Sequence, residues 1–386
     1  MTDADGVLKD PLTRQFFEIS FSEDRSWSIG GCLKRCVLSV MLYANLLYAQ
    51  PQRFIWLPVI WSGSDRLKKG AWSFKLLYAT VWPACVLGHV LVRSEQFASL
   101  ERNQTWVGTL GTLAHRLYLN FVVGLSKTCS PDVRPRDWSK TYFRKVLVEQ
   151  GAFVPPLIGK YQIAIKHFDW TGELNSKDLV IKPEYGGKGK GDCYLSFGQD
   201  FRTKQDVEEK LSNHMKQHDS LTKAGSMLIL ERIMPNKDFG LHVVMIITGK
   251  TKEGHVCVLH VNMNSGGQVA GQVSSHGCKD MYLLDPISEI IVGEDQWSTK
   301  PETEKTDPNF IGRRMPIVNG ACALAVKTHR ALIAQDPKAL QFIGWDCMMA
   351  EDGSIVFFEG NPCGVRLVRC MCNSWASMRA FARTFF

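Results

Sequence analysis

The sequence predicts an α+β chain with mostly antiparallel sheets, preceded by a mainly helical N-terminal region. Three observations predict it. From Asp132 onward, amphipathic helical stretches are interspersed with short apolar runs of strand length. The stretch Ile343–Asn361, IGWDCMMAEDGSIVFFEGN, reads as two apolar strands around an Asp352-Gly353 turn, a strong hairpin signal. Residues 1 to about 130 instead hold two long uncharged apolar runs, Cys36–Ala49 and Leu76–Val92.

Taken in order, the two apolar runs come first. The second is 17 residues long, is flanked by Lys75 and Arg93, and contains Trp82, Pro83 and His89. Both read first as buried helices. Their aromatic residues and basic flanks also fit a membrane-surface element within residues 36–92, and the longer run is at the short limit for a membrane span. A basic amphipathic helix is expected over Ser139–Gln150, stopped by Gly151 and Pro155-Pro156. Strands are expected at Tyr161–His167 and Asp178–Pro183, then a polar helix at Gln205–His218. Further strands are expected at Met227–Ile233, Leu241–Thr248 and His255–Met263. Residues 293–309 read as a polar loop, Val318–Ala334 as a helix leading into the hairpin, and Asn373–Thr384 as a closing amphipathic helix. The change of character near residue 130 sets residues 1–130 apart from the rest.

At 386 residues, with 45% hydrophobic and 22% charged side chains, the chain can bury a large core in two or three subdomains. A net charge of +8 suits phosphate-bearing ligands or an anionic surface and is too diffuse to point to nucleic acid. The 12 cysteines form no regular framework. Cys32 and Cys36, like Cys370 and Cys372, lack zinc-site spacing and an accompanying His cluster, so reduced, buried thiols in a cytosolic protein are expected. The opening MTDADGVLKDPLTRQ has no basic region followed by an apolar one, so a secretory signal is not expected.

Two constellations carry chemistry. The hairpin has one acid in each strand. With Asp352-Gly353 as a two-residue turn, Glu351 pairs with Ser354, Met348 with Phe357, and Asp346 with Glu359. Asn361 then shares a face with Glu359. Facing buried carboxylates repel, so either one is protonated or a cation lies over them. The second constellation is LVIKPEYGGKGKGD, Leu179–Asp192. A strand runs into Lys182, and Gly186, Gly187, Gly189 and Gly191 follow with Lys188 and Lys190 between them. Glycines let backbone N–H groups turn toward an anion, and the lysines add charge. No GxxxxGK[ST] pattern is present and no helix opens directly after the loop, which excludes a Walker A loop and a dinucleotide fingerprint. An exposed glycine-lysine turn is the alternative. A phosphate-cradling loop together with a carboxylate pair that suits Mg²⁺ makes the two halves of an ATP site, because Mg²⁺ bridges carboxylates to phosphates.

These residues resemble the ATP-grasp enzymes over about Asp132 to the C-terminus, and FIGWDCMMAEDGSIVFFEGN is similar to the GWD and EGN strands of the sugar-transfer-associated group. The resemblance implies two α+β subdomains, 131–225 and 226–386, clasping ATP, with a glycine-rich hairpin over the phosphates. It implies Asp346, Glu359 and Asn361 as ligands of two Mg²⁺ ions, with Mn²⁺ as a substitute. It implies Lys140 and Lys182 as phosphate-binding lysines, with Gly186, Gly187, Lys188 and Gly189 as the cradle. Glu231 in LILERIMPNKDFG would meet the adenine amino group, the backbone of Arg232 and Ile233 would complete the base contacts, and Asp238 would hold the ribose. One departure is visible: the strand GLHVVMIITGK carries Met245 where the group usually has an Arg, with His242 nearby. An acyl-phosphate transition state needs cationic support beyond Mg²⁺. Arg366 is the leading candidate, ahead of Arg313, Arg314 and Arg369. The segment Asn264–Gly277 reads either as a substrate loop or as a hairpin connection.

The resemblance implies an ADP-forming carboxylate–amine ligase working through an acyl phosphate on small-molecule acid and amine substrates, an amino acid or amino sugar among them. Two other readings stay open: a kinase of the same fold phosphorylating a hydroxyl, and a non-catalytic ATP-binding protein. The expected location is cytoplasmic, peripheral to a membrane if residues 36–92 touch one. Oligomeric state is left open.

Overall fold

The computed structural model describes residues 10–14, 139–185, 191–218, 225–265, 280–294, 310–336, 340–362 and 384. The two N-terminal apolar runs, the loop 186–190 and the expected closing helix up to residue 383 lie outside these residues. Among the described residues, no helix is long and apolar enough to cross a membrane.

The first long element is helix α1, Lys140–Glu149. Ser139 caps it, its side chain accepting from the Tyr142 N–H, and the apolar face Phe143, Val146 and Leu147 is buried. Strands β1 (Leu157–Gln162), β2 (His167–Trp170), β3 (Leu179–Pro183) and β4 (Cys193–Leu195) follow, then helix α2 (Lys204–Gln217) and strand β5 (Ser226–Glu231). A capping box between Thr203 and Asp206 opens α2. These strands form a five-stranded antiparallel sheet in the order β2-β1-β5-β3-β4.

The second sheet is built from β6 (His242–Lys250), β7 (Val256–Ser265), β8 (Asp280–Leu284), β9 (Ile291–Glu294), β10 (Phe342–Met349) and β11 (Ile355–Pro362). Its order is β11-β10-β6-β7-β8-β9, antiparallel throughout. Helix α3, Val318–Gln335, packs on one face of this sheet together with α1. The core there includes Val244, Ile246, Met263, Ala325, Trp345 and Phe357. Burying this face is the main force holding α3 and α1 on the sheet, at about 25 cal/mol per Å² of apolar surface removed from water.

Three expectations are corrected. The single strand expected over Tyr161–His167 is two strands with a turn between them, and Lys166 takes φ +51° to make it. The division at residue 225 does not follow the sheets. β5 is the central strand of the first sheet, while α1 packs into the core of the second, because Phe143 and Leu147 are the apolar residues that complete it. The hairpin turn is longer than two residues. Ala350 N–H donates to Ser354 O and Gly353 N–H to Ala350 O, leaving Glu351, Asp352 and Gly353 as a three-residue loop with Gly353 at φ +81°. Met348 therefore pairs with Val356 rather than Phe357. A bulge between Asp346 and Cys347, which leaves Phe358 as the extra residue on β11, then restores the offset. Asp346 faces Glu359 as expected.

Candidate active site

A cleft lies between the two sheets. Its walls come from α1 (Lys140, Arg144), β3 (Val180, Lys182), β5 (Leu228, Leu230, Glu231), the segment after it (Arg232, Ile233) and the bulged Phe358 of β11, with Pro155 and Tyr194. The enclosed space, open mouth included, is about 610 Å³, within the range of small-molecule sites. Its lining combines apolar side chains with the cations Lys140, Arg144, Lys182 and Arg232.

The carboxylate pair is held by the ladder. Asp346 sits opposite Glu359 on one side and Met245 on the other. The bulge brings Phe358 into the cleft beside Glu359, and the Lys182 ammonium lies 5.7 Å from the centre of its ring. Lys140 Nζ is 3.6 Å from Glu359 Oε2, and the Asn361 amide donates to Glu359 Oε1 at 3.1 Å. Burial acts against the charged form of Glu359. The ammonium groups of Lys140 and Lys182 and the Asn361 amide outweigh it and hold the carboxyl below its ordinary range.

Two acids not singled out from the sequence organise the cations. Asp192 Oδ2 lies 3.9 Å from Lys182 Nζ. Burial pushes the Asp192 carboxyl up against the pull of Lys182 and Lys140, and the Glu359 charge adds to the rise. Glu184 is a buried junction: it accepts from the Ser139 hydroxyl at 2.8 Å and from the Ser226 hydroxyl, and it pairs with Lys160 at 2.8 Å. Burial opposes its charge, but Lys160 and the hydroxyls of Ser226, Ser139 and Thr141 bring its pKa down to about 2. Glu184 thus ties the cap of α1, with Lys140 next to it, to β1, β3 and β5. Arg144 was also missed. It lines the cleft one turn after Lys140, and no carboxylate among the described residues pairs with it. Burial pushes its guanidinium down from the usual arginine range.

The remaining expected residues divide into three groups. Glu231, Arg232 and Ile233 line the cleft. The Glu231 carboxylate accepts from Asn175 at 3.0 Å and Lys177 at 2.8 Å; burial raises its pKa, but Lys177 and Asn175 bring it below the ordinary value. Arg232 donates its backbone N–H to Asp178 O at 2.8 Å. Asp238 is exposed on a turn, away from the cleft-lining residues, and its carbonyl accepts from Arg313 at 3.1 Å. Arg314 pairs with Glu289 at 2.8 Å, and Arg313 stacks on Phe239 and Phe310, so neither lines the cleft. His242 is a core residue: its Nδ1–H donates to Gly240 O, and its Nε2 accepts from the Met349 N–H. Gly186, Gly187, Lys188, Gly189, Arg366 and Arg369 lie outside the described residues.

The donor set Asp346, Glu359 and Asn361 fits Mg²⁺, a hard cation that takes oxygen ligands and retains waters. It does not fit zinc, and no group of three or more His, Cys, Asp or Glu able to hold a metal exists among the described residues.

No model of a known family matches the chain, and no curated protein matches it. Among solved structures, it is similar to an ADP complex of N5-carboxyaminoimidazole ribonucleotide synthetase, at 15% identity and TM-score 0.35 over 62% of this chain and 52% of that one. It is also similar to a D-cycloserine synthetase, at 15% identity and TM-score 0.41 over 69% of this chain and 77% of that one. A D-Ala:D-Ser ligase from Enterococcus faecalis is similar at 13% identity and TM-score 0.37 over 67% of this chain and 63% of that one. The chain thus spans about half of the first of these proteins and under two thirds of the third. Two antiparallel sheets around a cleft, lysines reaching in from α1 and β3, and an acidic hairpin facing them are the arrangement that the resemblance to the ATP-grasp enzymes implies.

Proposed function

We propose that this protein is an ADP-forming carboxylate–amine ligase. One observation supports the reading most: Glu359, which faces Asp346 across the hairpin, lies beside Lys140, and Lys140 and Lys182 both line a cleft that also holds Val180, Leu228, Leu230 and Ile233. Asp346, Glu359 and Asn361 would hold Mg²⁺, two ions by the resemblance, with Mn²⁺ as a substitute. The metal would offset charge on the β- and γ-phosphates. Lys140 and Lys182 bind and orient those phosphates, and the glycines and Lys188 of 186–189 would add backbone N–H groups and charge to them, as the resemblance implies. Val180, Leu228, Leu230 and Ile233 hold the adenine away from water, with the backbone of Arg232 and Ile233 beside its edge.

A substrate carboxylate oxygen attacks the γ-phosphorus, the bond to the β-phosphate oxygen breaks, and ADP leaves. The amine nitrogen then attacks the acyl carbon of the acyl phosphate. The carbon–oxygen bond to phosphate breaks, inorganic phosphate leaves, and the nitrogen loses a proton as the amide forms. Met245 beside Asp346 cannot supply a cation, so Lys182 and Arg366 carry that role.

The test is ADP release from Mg·ATP with panels of carboxylates and amines, followed by mass analysis of the product. An amide with stoichiometric free phosphate is expected, and Asp346→Asn should abolish it while leaving the fold intact. A phosphorylated hydroxyl without free phosphate would replace the ligase with a kinase. Full turnover by Asp346→Asn would sink both.

A further inference from the structure

Strand β7 carries buried polar atoms with nothing to bond. Asn262 and Asn264 are 1% and 0% exposed. Asn262 Oδ1 and both amide atoms of Asn264 find no hydrogen-bond partner among the described residues. Each such group costs about 1–3 kcal/mol when left unpaired, and such groups are rare in native proteins.

Strand pairing tells where these amides point. Met245 pairs with Asp346 on β10 and with Asn262 on β7. Directly paired residues of an antiparallel sheet share a face, so Glu359, Asp346, Met245 and Asn262 form one row across the sheet. With strands about 4.8 Å apart, Asn262 stands about 10 Å from Asp346 along that row. Asn264 lies on the same face, about 7 Å further along β7. The intervening Met263 faces the opposite way, into the core under α3. The amides therefore lie buried on the sheet face that carries Asp346 and Glu359.

We propose that Asn262 and Asn264 bind the body of the amine substrate, and that this body is neutral and carries groups that both donate and accept hydrogen bonds, hydroxyls or amides. The proposal rests on the ligase reading above and narrows its acceptor. A carboxamide offers one acceptor and one donor set and no charge. Met245, Leu283, Val243 and Met281 are its cross-strand neighbours on this face, and none can neutralise an anion. His260, two residues before Asn262, lies in the row of Ile247 and Gly344, on the far side of Asn262 from Asn264. A free amino acid would bury its carboxylate against these side chains with no counter-ion among these described neighbours, which is strongly unfavourable. A hydroxylated or amidated amine has no such cost.

The test titrates the full chain, saturated with Mg·ADP, with glucosamine, glycinamide and glycine, following each probe by saturation-transfer NMR. Glucosamine tests the hydroxyl arm and glycinamide the amide arm, and glycine differs from glycinamide by its carboxylate. At least one neutral probe is expected to bind ten times more tightly than glycine. Asn262→Leu and Asn264→Leu should each weaken it about threefold to tenfold, with Mg·ADP affinity unchanged. Thermal stability should hold or rise, because an unpaired amide has been removed; a purely structural role predicts a fall. If a leucine variant does not fold, Asn262→Ala and Asn264→Ala replace it. Glycine binding as tightly as the neutral probes, binding unaffected by the variants, or no probe binding at all would overturn the proposal, leaving the amides to buried water. These results leave the ligase reading standing where Mg·ADP binds. A chain that does not bind Mg·ADP overturns both.

Discussion

Lys140 Nζ lies 3.6 Å from Glu359 Oε2, so the first turn of α1 is tied electrostatically to the carboxylate strand β11. The ammonium offsets the carboxylate, and on the proposed reading it would offset phosphate when nucleotide enters. Lys140→Met should therefore weaken Mg·ATP binding about 10- to 100-fold, the range of a lost charge-assisted contact. Lys145 is the control: it is 76% exposed and pairs only with Glu149 in its own helix, at 3.9 Å. Isothermal titration of Lys145→Met should match the unmodified protein, and equal losses in the two variants would refute a specific role for Lys140.

Gly360, between Glu359 and Asn361, packs directly against Phe143 of α1. A Cβ there would lie 2.5 Å from Phe143 Cδ1 and 2.9 Å from Cε1. Phe143 is itself fixed edge-on against Trp345, with ring centres 5.8 Å apart. Gly360→Ala should destabilise the chain by about 1–3 kcal/mol through overpacking. Pairing it with Phe143→Leu should recover part of that loss in a urea double-mutant cycle. Additive effects of the two changes would mean that the contact is not the cause.

The hairpin explains how the acids could be located from the sequence although the turn was misread. A two-residue type I′ turn needs positive φ at both central residues, and only Gly353 has it. The chain therefore takes a three-residue loop, which shifts every pairing near the turn by one. The bulge at Phe358 shifts the pairing back before Asp346 and Glu359 are reached. Neither offset has a local signature strong enough to read, and they cancel at the acids. The bulge has its own consequence, since it turns Phe358 into the cleft. Helices α1, α2 and α3 were legible because amphipathic spacing is local. Glu184 was not: its bonds reach Ser139 and Ser226, 45 and 42 residues away, and only the folded sheet brings them together. Arg144 could have been found from its spacing of four from Lys140 on a helix already recognised.

Glu184 connects the cap of α1 to three strands of the first sheet, so its loss should have two effects. Glu184→Gln leaves Lys160 without its carboxylate and weakens the hold of the Ser139 and Ser226 hydroxyls. Breaking such a buried pair costs about 3–5 kcal/mol. Lys140 would also lose its fixed position, so Mg·ATP affinity should fall although Glu184 does not line the cleft. Normal affinity in a destabilised variant would confine Glu184 to a structural role.

Two buried groups set the response to acid in separate windows. His329 Nε2 donates to the Leu340 carbonyl, which can only accept, so Nδ1 is the bare nitrogen and accepts from the Thr248 hydroxyl at 2.8 Å. That hydroxyl in turn accepts from the Trp345 indole at 2.8 Å. Burial brings the His329 pKa down from 6.5 to about 4, with the Leu340 carbonyl partly opposing the shift and the Lys250 charge adding to it. Between these values the unfolded chain binds a proton that the folded chain does not, so the contribution is full above pH 6.5 and is lost as pH falls toward 4. Glu184, shifted from 4.5 to about 2, gives a second window: its contribution is present above 4.5 and is lost as pH falls toward 2. Each is worth on the order of 3 kcal/mol. Urea unfolding across pH should show His329→Gln flattening the slope between 6.5 and 4, and Glu184→Gln flattening it only below 4.5. If His329→Gln left the upper slope unchanged, the imidazole would have to be protonated in the folded chain. The chain from Trp345 through Thr248 to Nδ1 would then have to be broken, because a protonated Nδ1 cannot accept.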